Sequence, residues 1–180
     1  MTMPEPYSTA REKFRDWAVQ RLIAGVPAVE GRVYRARVWP LQKTDTPALL
    51  VYSFDEEKKR SNMDGGRAEF AASCTMAIAA RAVGVARAPE TVEARLEFLA
   101  GQIEASLLRP DQLTRRGDGA EFIAAVRTTM KVELAGDVCS GELLIAVDLH
   151  WTDVFLAPEP DIVCEDPFLA MQHIPLPNLP

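Results

Sequence analysis

The side chains able to do chemistry are few. His150 and His173 are the only imidazoles, and Cys74, Cys139 and Cys164 the only thiols. Cys139 or Cys164 could form a hydrolase dyad with either histidine, because a thiolate and its base need to meet only in space. Against this, the sequence has no G-x-S-x-G elbow, no G-x-x-x-x-G-K-[ST] phosphate loop, no G-x-G-x-x-G fingerprint and no H-E-x-x-H pair. The plainer reading makes His150 a surface strand residue and the cysteines small buried hydrophobes. Glu56 and Glu57 are the residue types of a general acid and base, but Lys58, Lys59 and Arg60 follow at once, and solvated charge is the simpler account. Asp148, His150 and Asp153 are metal-ligand types, yet on a strand only the first two share a face and no third ligand is indicated. Three cysteines without a C-x-x-C pair argue against a disulfide framework and a structural zinc site. No cofactor is expected, and the weight moves from catalysis to binding or assembly.

Whatever the chain binds, the composition limits it. A length of 180 residues suits one domain, and 48% hydrophobic with 26% charged residues is ordinary for a folded globular protein. Twenty Lys plus Arg against twenty-six Asp plus Glu give a net charge of −6, without the basic footprint that contact with a phosphate backbone requires. Direct nucleic-acid recognition is therefore not expected. No charge-poor apolar run approaches the roughly 18 residues of a membrane helix, and Met1 to Pro6 lack the pattern of a secretory signal. The cytosol is the expected compartment, with no membrane partner.

Periodicity supplies the elements. Ala10, Phe14, Trp17, Ala18 and Leu22 fall on one helical stripe, with Thr9 and Glu12 as a capping box and Gly25 as a stop. Tyr34, Ala36 and Val38 alternate with Arg35 and Arg37 as a half-buried strand, and Ala48 to Phe54 is apolar on both faces, as for a central strand. Residues 55 to 67 mix charges of both signs with no apolar period and predict a solvated loop or long hairpin tip. From Ala68 the even residues Phe70, Ala72, Cys74, Met76 and Ile78 alternate with smaller ones, which predicts a long strand, although the alanine content would also suit a helix. Pro89 then opens a second helix with its apolar stripe at Val92, Leu96, Leu99, Ile103 and Leu107. Asp111 to Gly119 is a polar connection. Phe122 to Leu134, with its even residues on one face, and Leu143 to Phe155, with its odd residues buried, form an antiparallel hairpin around Asp137 to Ser140.

After Leu156 six of the thirteen prolines crowd the last 23 residues, which predicts an extended arm. Ile162, Phe168, Leu169 and Ile174 make that arm too apolar to be a bland linker. The expectation is an α+β domain over residues 1–157, order α-β-β-β-α-β-β, with an antiparallel or mixed sheet of about five strands, two main helices on one side, and a proline-rich arm over 158–180. Trp17 and Trp151 fall in register with the core stripes, while Trp39 is open between a strand end and an interface.

The run Gly31-Arg32-Val33-Tyr34-Arg35-Ala36-Arg37-Val38-Trp39-Pro40-Leu41, followed by Pro47-Ala48-Leu49-Leu50-Val51-Tyr52-Ser53, resembles the front half of phage tail terminator proteins of the lambda minor tail protein U type. In that family a helix leads into two such strands, and a charged segment, a long strand, a helix and two strands follow. The pattern covers about residues 8–54 and the element order about 8–156. The resemblance implies a minor tail protein of a phage or prophage, a virion structural subunit that closes into a homohexameric ring on the tail tube. Such a ring stops tube polymerisation and serves head-tail joining, without a cofactor. It implies the major tail tube protein and a head connector or head-completion protein as partners.

The dense charge of Asp55, Glu56, Glu57, Lys58, Lys59, Arg60, Asp64 and Arg67 makes that segment the candidate partner contact, where electrostatics would set partner choice. The arm, through Ile162, Phe168, Leu169 and Ile174, is the candidate inter-subunit contact. The rivals are another neck component such as a connector adaptor, a small cytosolic Cys/His enzyme, and an unrelated ligand-binding domain.

Overall fold

Thr9 and Glu12 cap the first helix reciprocally: Thr9 Oγ1 accepts from the Glu12 amide at 3.4 Å, and Glu12 Oε2 accepts from the Thr9 amide at 3.1 Å. The computed structural model describes residues 9–35, 46–62, 67–109 and 122–156. Helix α1 runs Ala10–Gly25 and buries Phe14, Ala18, Val19 and Leu22. A single tight turn at Pro27–Val29 leads into the two-residue strand β1, Val33–Tyr34. Strands β2 (Ala48–Asn62) and β3 (Arg67–Val85) form a long antiparallel pair. Helix α2 (Pro89–Leu107) follows, then β4 (Phe122–Ala135) and β5 (Val138–Leu156).

The strands lie in the order β1-β2-β3-β5-β4, with β1 parallel to β2 and every other pair antiparallel. This is the expected α+β arrangement, a mixed five-stranded sheet with both helices on one face. Leu49, Val51, Cys74, Met76, Ile78, Leu143, Ile145, Val147 and Leu149 of the sheet meet Leu22 of α1 and Val92, Leu96, Leu99 and Ile103 of α2 in one buried cluster. Burying each such side chain contributes about 1.5–3 kcal/mol. Two glycines let the layers approach. A Cβ on Gly25 would lie 2.9 Å from Ser106 Cβ where α1 meets α2, and one on Gly141 would lie 2.6 Å from Leu96 Cδ1 under α2.

The structure corrects the sequence reading in three places. In β1 it is Val33 that enters the core, opposite Leu49, while Tyr34 pairs with Leu50 on the other face; Ala36, Val38 and Trp39 lie outside the described residues. In β4 one extra residue between Ile123 and Ala125 breaks the even-numbered stripe, so that Ile123 packs on the core where Phe122 and Ala124 were expected. The hairpin link is also tighter than Asp137 to Ser140: only Gly136 and Asp137 connect the strands, and Gly136 takes the positive φ of 62° that the turn requires.

Candidate functional site

A fourth correction concerns the charged segment. Residues 55 to 62 continue β2, paired with β3 from Ser73 to Glu69. Backbone pairing holds them in a strand despite charges on both faces, because every second residue meets a small or apolar partner: Lys58 opposes Ala72 and Arg60 opposes Phe70. Residues 63–66 between the strands, Asp64 among them, lie outside the described residues, and of Arg67 only its backbone place in β3 is described.

A bulge decides which charges face which way. Phe54 pairs with Thr75 and Glu57 with Ser73, so β2 carries one residue more than β3, and Asp55 sits there at φ 53°. Aspartate enters this left-handed region more readily than most residues. The extra residue reverses the parity: Lys58 and Arg60 turn to the helix-covered face, and Glu57 and Lys59 to the open one.

On the helix side the result is a chain of ion pairs. Glu56 lies 3.0 Å from Arg11 of α1 and 3.4 Å from Lys58. Lys58 Nζ donates to Asp153 Oδ2 of β5 at 2.5 Å and stands 5.1 Å from the Phe155 ring centroid. The Asp153 hydrogen bond raises the Lys58 pKa above the ordinary lysine value. Phe155 meets Phe70 edge to face at 5.7 Å, and Trp151, 6% exposed, meets Phe14 of α1 at 5.2 Å. The contacts of Phe14 and Arg11 mark where α1 stops covering the sheet. Beyond them, among the described residues, β2, β3 and β5 run on without a helix over them. On the open face, Glu57 and Lys59 pair at 3.1 Å.

The remaining chemistry-bearing residues do not converge. Cys139 is buried on the helix side at the turn end of β5, opposite Gly84 and Leu134, whereas His150 lies towards the other end on the open face. These two form no dyad. Cys74 is also buried on the helix side, and burial pushes its thiol pKa up, with the Glu56 charge adding to it. Asp148 accepts from Thr75 Oγ1 at 2.7 Å and from both Arg127 terminal nitrogens at 2.7 and 2.9 Å; the Arg127 hydrogen bonds chiefly hold its pKa low. Asp153 faces the opposite way, so the triad Asp148, His150 and Asp153 is not a metal site. No three potential ligands gather elsewhere among the described residues, and no described helix is long and apolar enough to cross a membrane. Cys164, His173 and the arm residues Ile162, Phe168, Leu169 and Ile174 lie outside the described residues.

The sequence reading missed the apolar edge of the sheet. On β4, Val126, Met130 and Leu134 sit on the helix side, but α2 lies mainly over β3 and β5 and leaves them exposed, Leu134 by 63%. Phe98 of α2 is 60% exposed. Only knowledge that β4 is the last strand could have flagged these side chains, and strand order is not written in local periodicity.

No family model and no curated protein matches the chain. A chain in the solved structure titled virion of native gene transfer agent (GTA) particle is similar at a TM-score of 0.39 and 18% identity. The match covers 74% of this chain and 92% of that one.

Proposed function

We propose that the chain is a virion structural protein of the tail terminator type, a ring-forming subunit that closes the end of a tail tube and offers its other side to the head. The supporting observation is a combination. The strand pattern from Gly31 to Ser53 resembles that family, and the order α-β-β-β-α-β-β with both helices on one face is the order the resemblance implies. The role asks for shape and surface. A head-to-tail contact closes into a ring only when the rotation per subunit divides a full turn, and otherwise it makes filaments. A terminator must also bind the tube on one side and refuse another layer of tube subunits on the other, which needs two sides differing in shape and charge.

The projecting β2–β3 hairpin, with Glu57 and Lys59 on its open face, is the proposed contact with tube or connector. The arm from Pro158 onward is the proposed contact between neighbouring subunits. The test is assembly. Purified protein added to polymerising tube subunits should end the tubes at a fixed length under the electron microscope, with a ring mass near six times 19.9 kDa. Deletion should give overlong tails. Unjoined heads beside normal tails would point instead to a connector adaptor, and tubes growing unchecked with the protein present would overturn the proposal.

A further inference from the structure

Strand β4 ends the sheet. Its one neighbour in the strand order is β5, so every second residue turns its N–H and C=O to an edge where no described strand pairs. Sheet edges are ordinarily blunted by proline, by bulges or by inward charge. From Ala125 to Ala135 the ladder with β5 runs without a register shift, a proline or a glycine, and the helix-side row Val126, Thr128, Met130, Val132 and Leu134 carries no charge. Val126, Met130 and Leu134 of that row are exposed. A bare apolar edge of this length is a template for another strand.

We infer that β4 pairs antiparallel with β4 of a second copy about a two-fold axis at Met130, joining the two five-stranded sheets into one. An axis normal to the sheet keeps both helix layers on the same side, so directly opposed residues must share parity. Centred on Met130, the unbroken stretch Ala125–Ala135 meets its whole length in the second copy. Val126 then opposes Leu134 of the second copy, Thr128 opposes Val132, and Met130 opposes Met130, so that the exposed apolar row covers itself. On the open face Arg127 falls opposite Glu133 of the second copy. Both already have partners within the chain, Asp148 and Lys131, so they do not draw the copies together; what the charges do is limit the register. An axis at Thr129 would set Arg127 against Lys131, and an axis at Lys131 would set that lysine against itself. An axis at Val132 would shorten the ladder to Thr129–Ala135 and leave Val126 uncovered. The Met130 contact closes on itself, so it is not the head-to-tail contact of a ring. It associates free subunits and stands independently of the terminator reading.

Sedimentation of the full-length protein should give a mass of twice 19.9 kDa. Met130→Lys and Met130→Glu each bring like charges together at the axis and should weaken the dimer about tenfold or more, whereas an equimolar mixture of the two should restore it. Recovery in the mixture also shows that both variants fold. Nitroxide labels on Ala125→Cys or on Ala135→Cys, each with Cys164→Ser, should report the same separation within the dimer, because the axis lies midway between these positions. Ten residues at about 3.4 Å each make it about 34 Å. Clearly unequal separations would overturn the Met130 register. A parent that stays monomeric at millimolar concentration, Met130 variants that associate like the parent, or a mixture that fails to recover would overturn the two-fold pairing. Capping of tubes by the parent is scored separately, and its failure would sink the terminator reading while leaving the dimer standing.

Discussion

Lys58 of β2 reaches across β3 to Asp153 of β5, Nζ to Oδ2 at 2.5 Å, although the two strands are not neighbours in the sheet. The residue opposite Lys58 on the strand between is Ala72, whose methyl group leaves the lysine stem room to cross. The pair ties together the three strands that project beyond α1, and Glu56 extends the tie to Arg11 of the helix. Asp153→Asn should therefore loosen the projecting end while leaving the core intact. With Lys58 a third exposed, the loss in global stability is held to about 0.2–1 kcal/mol. The expected signature is faster amide exchange confined to residues 56–62 and 150–156, with an almost unchanged denaturation midpoint. A midpoint that falls steeply would show that the pair supports the whole fold.

The same pair fixes a pH response. Asp153 raises the Lys58 pKa above the ordinary value of 10.5, so folding strengthens proton binding at Lys58. Its contribution is complete below that value and is lost as the pH rises through the raised folded value. Stability should decline more steeply above about pH 10.5 in the parent than in Lys58→Met, measured by urea midpoints along the pH axis. Parallel curves for the two proteins would refute the assignment.

Thiol chemistry tests the part of the enzyme rival that would use Cys139. Cys74 and Cys139 are buried, and desolvation raises the Cys74 pKa, the reverse of what a nucleophilic thiolate needs. Alkylation under native conditions should leave both cysteines unmodified by peptide mass mapping over the time in which free cysteine reacts fully, and urea should expose them together. Rapid native labelling of Cys74 would contradict the packing described.

Close approach of α2 to the sheet predicts a cost for a single methyl group. A Cβ at Gly141 would meet Leu96 Cδ1 at 2.6 Å and Val92 Cγ1 at 2.9 Å, and both partners are almost fully buried. Gly141→Ala should destabilise the protein by about 1–3 kcal/mol through overpacking. Leu96→Ala, which opens space instead, should cost about 2–5 kcal/mol alone, and combining the two should cost less than their sum. Additive midpoints would mean that the methyl group and Leu96 do not compete for the same volume.

Much of this fold could be read from local spacing. The Thr9–Glu12 box, Pro89 at the start of α2 and the odd-numbered stripe of β5 are each set by neighbours within a few residues, and each formed as expected. What failed depends on strand order. Charges from Asp55 to Asn62 look like a loop because a strand that leaves the helix layer has no face that must be apolar, and nothing local shows where α1 stops. Val126, Met130 and Leu134 look like core because their alternation matches that of β5, yet α2 covers the edge strand only in part. The bulges at Asp55 and Ala124 reversed parity where no glycine or proline announced a break. The candidate contact residues were legible as a charged cluster, whereas their division between two faces was not.

That division yields the last prediction. The bulge puts Glu57 and Lys59 on the open face, away from the ion pairs of Lys58. Reversing Lys58 together with its neighbours would disturb the fold and the surface at once, so the informative change is Glu57→Lys with Lys59→Glu. Both side chains are well exposed and their mutual pair survives the swap, so stability should move by less than about 0.5 kcal/mol. If this face recognises tube or connector by charge, joining of tails to heads should drop sharply, and more so at low ionic strength, where opposed charges are least screened. Joining at the parental rate by the folded double variant would show that the open face of the hairpin is not where the partner is recognised.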